Sequence, residues 1–372
     1  MAQLDKYIAK IEELREHGNL RILRNEIPED IVNLSSNDYL GLQQNKELYE
    51  EFLDEISISY YRFTAASSRL LSGNSPEYGT LESQLQTMYG RQAALVFNSG
   101  YHANCGILPA LAGPNDLIVA DKLVHASIID GMRLGQAQYE RFRHLDYEHL
   151  EKILSENKNK FDTIFIVSES IFSMDGDRAN IPLLIELKKK YNALLYIDEA
   201  HAVGVYGDTG LGLCEEYNVI HDCDFIVGTF GKALASVGAF VICDEIFKTY
   251  LINHARTLIY TTALPPINLA WSQFILSQLH TFGSQRQKLI KLSKEFAQLL
   301  SVEWQSHIIP YIIGSNTDTI ACSELLQQNG FYVLPIRYPT VAKNTARLRF
   351  SLQAIHTLNE LQKIPAILAS RK

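Results

Sequence analysis

The chain has 372 residues, of which 47% are hydrophobic and 20% are charged, as is typical of a soluble globular enzyme. Its net charge of −8 argues against nucleic acid as a default partner. The five cysteines are scattered without a C-x-x-C pair, which indicates neither a disulfide framework nor a zinc site and favours a cytoplasmic location. We find no signal peptide and no apolar run long enough to span a bilayer, so no membrane association is expected.

The amino-terminal third begins with an amphipathic helix, predicted over residues 3–17 from its apolar stripe. A short strand follows at 31–34. Ser75 and Pro76 are typical of the cap and first turn of a second helix, which Gly90 ends.

Between residues 93 and 264, short apolar runs alternate with helical patterns. We predict strands at 93–97, 117–120, 163–168, 194–197, 224–228 and 238–242. This alternation predicts an α/β fold with a mostly parallel central sheet flanked by helices.

Beyond Pro265-Pro266 the pattern changes. Helical stretches at about 267–281 and 284–304 lead into a tail of mixed α+β character, with apolar runs at 308–313 and 331–336 and a strand-like segment at 347–351. We therefore expect three parts, namely an amino-terminal arm (1–40), a large α/β domain (41–278) and a smaller α+β carboxyl-terminal domain (279–372).

Three residues that follow predicted strands carry the main functional signal. Asp198 ends an apolar run, His201 comes three residues later, and Lys232 lies in a glycine-punctuated turn 31 residues further on. Open α/β sheets bind ligands at the carboxyl ends of their strands. An anion, an imidazole and an amine meeting there fit pyridoxal 5'-phosphate (PLP), whose ring nitrogen needs an anion and whose aldehyde needs an amine. Taken singly, each has an ordinary alternative as a helix cap, a core histidine or a solvated lysine.

Other candidate residues follow the same strands. His125 comes after strand 117–120 and is either a helix-start residue or a ring that stacks on a cofactor. Ser99, Gly100 and Tyr101 open a helix after strand 93–97, where backbone N–H groups could cradle a phosphate. Further hydroxyl donors to such a phosphate could come from Ser173, Thr229 and Thr262. On the strand-like tail, Arg349 forms a solvated ion pair or grips a substrate carboxylate with two hydrogen bonds.

Two readings from other classes remain as alternatives. The sequence Asp198-Glu-Ala-His201 also matches the acidic motif of nucleotide-driven helicases. Such a helicase requires an upstream phosphate-binding loop of the pattern G-x-x-x-x-G-K-[ST]. The Gly-Lys pair at Gly231-Lys232 lies downstream with the wrong glycine spacing, so the helicase is a remote alternative. The other alternative is a protein of this fold without catalytic activity, which would not require the lysine, the aspartate and both histidines together.

The chain resembles the α-oxoamine synthases, a family of fold-type-I PLP enzymes, from about residue 21 to residue 357. The motifs that carry the resemblance are Ser36–Gly41, Asn98–Asn104, His125–Ser127, Glu169–Gly176, Asp198–His201, Thr229–Lys232, Thr340 and Thr345–Arg349. The resemblance implies the PLP-dependent transferase fold of type I and a homodimer with shared active sites. It implies no metal.

The resemblance also implies a role for each candidate residue. Lys232 would bind the cofactor and later move the proton at the substrate Cα. Asp198 would pair with the ring nitrogen, His201 and Ser173 would bond the phenolic oxygen, and His125 would stack on the ring.

The remaining roles concern the rest of the cofactor and the substrates. Ser99, Gly100, Tyr101 and Thr229 would hold the cofactor, and Thr262 would reach the phosphate of the neighbouring subunit. Arg349 and Asn37 would bind the amino acid carboxylate, and Arg21 and Thr340 would face the acyl chain.

Within the family the chain is most similar to the branch that condenses L-alanine with a pimeloyl thioester, carried by coenzyme A or acyl carrier protein, in biotin biosynthesis. Sister reactions that use glycine or serine are the alternatives. Two stretches, 233–238 and 63–73, are less glycine-rich than this branch leads us to expect, and either could alter which acyl chain or amino acid fits.

Overall fold

The computed structural model describes residues 2–23, 27, 30–56 and 62–370. The chain divides into two compact units. The smaller unit comprises Met1–Asn37, Ser173–Asp177 and Gln287–Lys372, and the larger unit comprises Asp38–Phe172 and Arg178–Arg286. The three-part division at 40/41 and 278/279 stays a prediction.

The strands and helices are numbered in chain order. The strands are β1 (Val32–Asn33), β2 (Ala93–Phe97), β3 (Leu117–Asp121), β4 (Gln138–Phe142), β5 (Ile164–Glu169), β6 (Leu194–Asp198), β7 (Phe225–Thr229), β8 (Ala239–Cys243), β9 (Ile308–Gly314), β10 (Phe331–Tyr332), β11 (Pro335–Ile336) and β12 (Ala346–Ser351). The α-helices are α1 (Ala2–Glu16), α2 (Lys46–Glu55), α3 (Pro76–Tyr89), α4 (Gly100–Leu111), α5 (Ala126–Leu134), α6 (Tyr147–Asn157), α7 (Ile181–Tyr191), α8 (Leu213–Glu216), α9 (Glu245–His254), α10 (Arg256–Ile259), α11 (Pro266–Gln278), α12 (Gly283–Leu299), α13 (Asn316–Gln328), α14 (Leu358–Leu361) and α15 (Ile364–Ala369).

The larger unit is built on one sheet. Among its described residues, seven strands pair in the order β2-β8-β7-β6-β5-β3-β4. Strand β8 runs antiparallel to both of its neighbours, and the other pairs are parallel. Five of these strands, β2, β3, β5, β7 and β8, are buried along their whole length, as expected when helices cover both faces of a sheet. The predicted α/β fold with a mostly parallel sheet is confirmed.

Strand β4 was not predicted from the sequence. Its residues Gln138 to Arg141 are exposed, and β4 pairs only with β3 at the edge of the sheet. Charged and polar side chains are common on edge strands, where they discourage pairing with another chain. The six predicted strands are recognisable as apolar runs, and an exposed edge strand carries no such run.

Helix α4 begins at the carboxyl end of β2, and its first turn is capped locally. The side chain of Ser99 accepts a hydrogen bond from the backbone N–H of His102 at 3.2 Å. The two preceding backbone N–H groups, those of Gly100 and Tyr101, have no partner within the helix because an α-helix leaves its first N–H groups unpaired. This sequence therefore places N–H donors at the edge of the sheet.

The smaller unit contains a three-stranded antiparallel sheet in the order β11-β12-β9, together with a parallel pairing of β1 with β10. The predicted strand at 347–351 corresponds to β12, which is buried throughout. The predicted amino-terminal helix corresponds to α1. Helix α13 was not predicted.

Within the described ranges, no helix is long and apolar enough to cross a membrane. In the same ranges, no group of three or more His, Cys, Asp or Glu side chains is arranged to hold a metal ion. All five cysteines are buried free thiols.

Candidate active site

Three parallel strands of the larger unit end side by side at one edge of the sheet. Glu169 is the last residue of β5, Asp198 the last of β6 and Thr229 the last of β7. Because β5, β6 and β7 are adjacent and parallel, their terminal side chains share this edge. The sequence predicts that Asp198 lies at the carboxyl end of a strand, and in the structure it is the last residue of β6.

A buried polar network holds the carboxylate of Asp198. Its Oδ2 accepts a hydrogen bond from Asn104 Nδ2 at 2.8 Å, and its Oδ1 accepts one from the backbone N–H of Ala200 at 2.9 Å. Asn104 in turn accepts a bond from the Tyr196 hydroxyl at 2.5 Å and donates to the Ser127 hydroxyl at 2.9 Å. Such fully paired networks fix a side chain in one position.

His201 links the amine of Lys232 to a tyrosine. Nε2 of His201 lies 2.8 Å from Lys232 Nζ, and Nδ1 lies 2.6 Å from the hydroxyl of Tyr39. The imidazole is 5% exposed, whereas Lys232 is only half-buried. The lysine and histidine that the sequence singled out are therefore direct neighbours.

His125 stands at the start of α5, and part of its side chain is exposed. Its Nδ1 lies 2.8 Å from the hydroxyl of Ser127, which ties it to the network around Asp198. The protein packed around the ring lowers the pKa of His125, and nearby Lys232 acts in the same direction while Asp198 opposes it. The ring is therefore neutral at neutral pH.

Of the residues predicted to hold a phosphate, five lie in the same unit, whereas Ser173 lies in the smaller unit. The five are Ser99, Gly100, Tyr101, Thr229 and Thr262. Gly100 leaves open space, since a Cβ built on it would meet nothing within 4 Å. The Thr229 hydroxyl donates to the carbonyl of Gly238 at 3.0 Å and accepts from the N–H of Gly231 at 3.1 Å. Thr262 is exposed, and its carbonyl accepts a hydrogen bond from Asn98 at 2.6 Å.

This donor set fits PLP. Asp198 supplies a fixed anion for the ring nitrogen, Lys232 supplies an amine for the aldehyde, and neutral His125 offers a flat ring without repelling a protonated pyridine. The N–H groups of the helix start and the open space at Gly100 suit a dianion.

Arg349 lies in the smaller unit on the buried strand β12. Its Nη1 and Nη2 donate to Asn37 Oδ1 at 3.1 and 3.2 Å, and its Nε donates to the backbone carbonyl of Ser173 at 2.5 Å. Arg349 is 8% exposed. The structure thus brings together Arg349 and Asn37, both predicted to bind a carboxylate.

The pair predicted to face the acyl chain also meets in the smaller unit. Arg21 Nη2 donates to the hydroxyl of Thr340 at 3.3 Å, and both residues are exposed. Arg347 differs from Arg349, since it forms an ion pair with Asp175. The roles assigned to all of these residues stay predictions.

Sequence reasoning gave no role to Tyr39, Asn104 or Glu169. All three lie in motifs that carried the family resemblance. Their partners could not be read from the sequence, because 162 positions separate Tyr39 from His201 and 94 separate Asn104 from Asp198.

The two glycine-poor stretches each contain an alanine in a left-handed backbone conformation. Ala66 has φ 53° and Ala235 has φ 44°. This region of φ is costly for residues with a Cβ and free for glycine. The departures from the expected glycines therefore coincide with backbone that favours glycine.

Comparison with known proteins is consistent with this arrangement. The family described as aminotransferase class I and II matches residues 29–367. A relative from Haemophilus influenzae, named "Putative 8-amino-7-oxononanoate synthase", is 53% identical over 339 residues, covering 90% of this chain and 89% of the relative.

Two solved structures are similar over nearly the whole chain. One is serine palmitoyltransferase (SPT) with PLP, with 28% identity, a TM-score of 0.88 and coverage of 99% of this chain and 97% of that chain. The other is 8-amino-7-oxononanoate synthase from Francisella tularensis, with 29% identity, a TM-score of 0.79 and coverage of 92% and 98%. The chain therefore belongs to the aminotransferase class I and II family, and within it to the α-oxoamine synthases.

Proposed function

We propose that this protein is a PLP-dependent acyltransferase that condenses L-alanine with a pimeloyl thioester. The products are 8-amino-7-oxononanoate, CO₂ and the free carrier, and the reaction is a step of biotin biosynthesis. One observation carries the proposal, namely that Lys232 Nζ lies 2.8 Å from His201 Nε2 in the unit where Asp198 is held by Asn104. The 53% identity to the Haemophilus influenzae relative supports alanine and the pimeloyl group as substrates.

When bound, PLP withdraws electrons from the substrate Cα. Asp198 would hold the proton of the cofactor ring nitrogen, because its carboxylate is fixed by two donors and a nearby anion stabilises a protonated pyridine. Lys232 would bind the aldehyde carbon through Nζ. His125, neutral and partly exposed, would cover one face of the ring and exclude water from it.

His201 would accept the proton of Lys232. When Nδ1 of His201 carries its hydrogen and donates to Tyr39, Nε2 can accept a hydrogen bond from the lysine ammonium. Nζ of Lys232 would have to be neutral to bind the aldehyde carbon, and Nε2 of His201 would take up the proton that the ammonium loses. Lys232 would also be the base that removes the proton from the substrate Cα and later returns one.

Arg349 would bind the carboxylate of the amino acid. A guanidinium forms two parallel hydrogen bonds to a carboxylate, which fixes its plane as a point charge cannot. Asn37, Ser351 and the Ser173 carbonyl hold Arg349 in one orientation. A carboxylate fixed in this way orients the Cα–H and Cα–CO₂ bonds, of which the first breaks before condensation and the second after it.

The protein is further proposed to act as a cytoplasmic homodimer with shared active sites, in which Thr262 reaches the phosphate bound by the partner. Tyr260, two residues before Thr262, is 72% exposed and would be covered by the partner in such a dimer. Coenzyme A and acyl carrier protein remain alternative carriers.

A sister reaction with glycine or serine is the second candidate. The TM-score of 0.88 to SPT, against 0.79 to the Francisella tularensis synthase, favours it on backbone similarity. Pockets that differ by one methyl group discriminate by only about 1–3 kcal/mol, so a panel of substrates decides between the two reactions.

The test is a substrate panel with the purified PLP-loaded protein. Alanine, glycine and serine are each combined with pimeloyl-coenzyme A, pimeloyl carrier protein or palmitoyl-coenzyme A, and the products are identified by mass spectrometry. We expect 8-amino-7-oxononanoate from alanine and a pimeloyl donor, and no product from Lys232→Ala. Product from glycine or serine alone would replace the proposed reaction by a sister reaction.

A further inference from the structure

Glu169 is a buried carboxyl group that has no role in the proposed reaction. It is the last residue of β5, and it pairs in register with Asp198 at the end of β6. Neighbouring parallel strands lie about 4.8 Å apart, and residues in register project to the same face of the sheet. Two carboxyl groups therefore stand side by side at the proposed cofactor site.

The two carboxyl groups differ in their hydrogen bonds. Asp198 accepts bonds from Asn104 and from the backbone N–H of Ala200. Glu169 is 2% exposed, and its Oε1 has no hydrogen-bond partner among the described residues. The backbone N–H of His125 hydrogen-bonds the same carboxyl group. A buried carboxylate with so few donors is disfavoured, whereas a neutral carboxylic acid in the same place is not.

The charges around Glu169 act in the same sense. Burial raises the pKa of Glu169 well above its ordinary value, and the neighbouring Asp198 and Asp121 raise it further. Lys232 and the N–H of His125 oppose this effect. When two carboxyl groups lie close together, one of them keeps its proton. The partner with more hydrogen-bond donors, here Asp198, is the one that carries the charge.

We propose that Glu169 is a positioning residue that stays protonated in the working enzyme, so that Asp198 alone carries negative charge beside the cofactor ring nitrogen. This inference rests on the proposed PLP chemistry and adds to it a fixed proton. A second negative charge at this edge of the sheet would compete with Asp198 for the cofactor's proton and for the amine of Lys232.

The stability of Glu169→Gln as a function of pH tests the inference. Glutamine is a neutral isostere of protonated glutamate and has no proton to lose. An acid whose folded-state pKa is raised contributes stability below its unfolded pKa, about 4.3, and loses that contribution as the pH rises. As the pH rises from the pKa of Glu169 in the unfolded chain to its pKa in the folded chain, the wild type should lose stability relative to Glu169→Gln. Its unfolding equilibrium constant should rise relative to that of the variant by up to about tenfold per pH unit.

The measurement uses the full chain loaded with PLP and urea unfolding between pH 5 and pH 8. We expect Glu169→Gln to match the wild type near pH 5 and to be the more stable protein at pH 8. A charged Glu169 paired with Lys232 would give the reverse, a variant destabilised at pH 8, and that result would overturn the inference. If Glu169→Gln does not fold, Glu169→Met removes the same charge at similar volume.

Glu199→Gln is the matched control. Glu199 is also fully buried next to Asp198 in sequence, but its carboxylate accepts bonds from the Ser170 hydroxyl and from the N–H groups of Leu213 and Cys214. An amide there would turn its NH₂ toward backbone donors. Burial raises the pKa of Glu199 too, but these donors oppose the shift. We therefore expect Glu199→Gln to be less stable than the wild type even at pH 8, where Glu169→Gln is the more stable protein.

Difference infrared spectroscopy gives a readout that a merely structural role would not move. The spectrum of the wild type at pH 7 should contain a protonated carboxyl C=O band that Glu169→Gln lacks, and absence of this band would overturn the inference. If the wild type does not use alanine but shows both the infrared band and the pH dependence of stability, the proposed function is refuted and the role of Glu169 stands. If the wild type condenses alanine but shows neither signal, the role of Glu169 is refuted and the proposed function stands.

Discussion

Asn104→Ala should destabilise the larger unit by about 3–5 kcal/mol. The side chain of Asn104 is 1% exposed and makes three hydrogen bonds, to Asp198, to Ser127 and from Tyr196. Its removal leaves the fully buried Tyr196 hydroxyl without its acceptor and takes one donor from a buried carboxylate. Each buried polar group that loses its partner costs about 1–3 kcal/mol, and a charged group costs more. A domain is usually stable by about 5–15 kcal/mol, so the variant should still fold.

Tryptophan fluorescence can report this unit separately. The chain has two tryptophans, Trp271 in the larger unit and Trp304 in the smaller one. In a Trp304→Phe background, urea unfolding followed at Trp271 measures the larger unit, which matters because two units need not unfold in one step.

The control variant is Tyr196→Phe, which removes only the hydroxyl and should cost about 1–2 kcal/mol. The double variant Asn104→Ala/Tyr196→Phe should cost less than the sum of the single changes, by about 1 kcal/mol, because it leaves no orphaned phenol. The reasoning is refuted if Asn104→Ala changes the free energy of unfolding by less than about 0.5 kcal/mol, the effect of an ordinary surface substitution, or if the two changes are additive.

Three further predictions concern the backbone, the acid sensitivity and the substrate carboxylate. Ala235→Gly should stabilise the protein by about 0.5–1 kcal/mol, because Ala235 has φ 44° and glycine adopts this conformation without strain; a loss of stability in urea would contradict this. Burial lowers the pKa of His356 to about 4 from 6.5, so the unfolded chain binds its proton first as the pH falls. The wild type should therefore lose about 3 kcal/mol between pH 6.5 and pH 4 through this residue, and His356→Asn should show a correspondingly shallower pH dependence of unfolding. Arg349→Lys should raise the KM for the amino acid at least about tenfold without changing the absorbance of bound PLP, since lysine cannot replace the fork of donors to a carboxylate; an unchanged KM would exclude the proposed contact.

The sequence by itself determined the architecture of the larger unit. A strand buried on both faces must be apolar along its length, and six such runs predicted six of the seven strands to within one residue at each end. The same pattern placed Asp198 at the end of β6 and Lys232 three residues beyond the end of β7, and the carboxyl ends of parallel strands meet at one edge of a sheet. The exposed strand β4 lay outside this rule, since an edge strand needs no apolar run.

Only the tertiary structure decided which side chains pair. The bonds of Asn104 to Asp198 and of Tyr39 to His201 join residues 94 and 162 positions apart, and no local pattern specifies such a partner. Glu169 is a further example, because in the sequence it is an ordinary glutamate at the end of a predicted strand. Its burial, its register with Asp198 and its unpaired oxygen arise from the packing of neighbouring strands, and these properties exist only once the chain has folded.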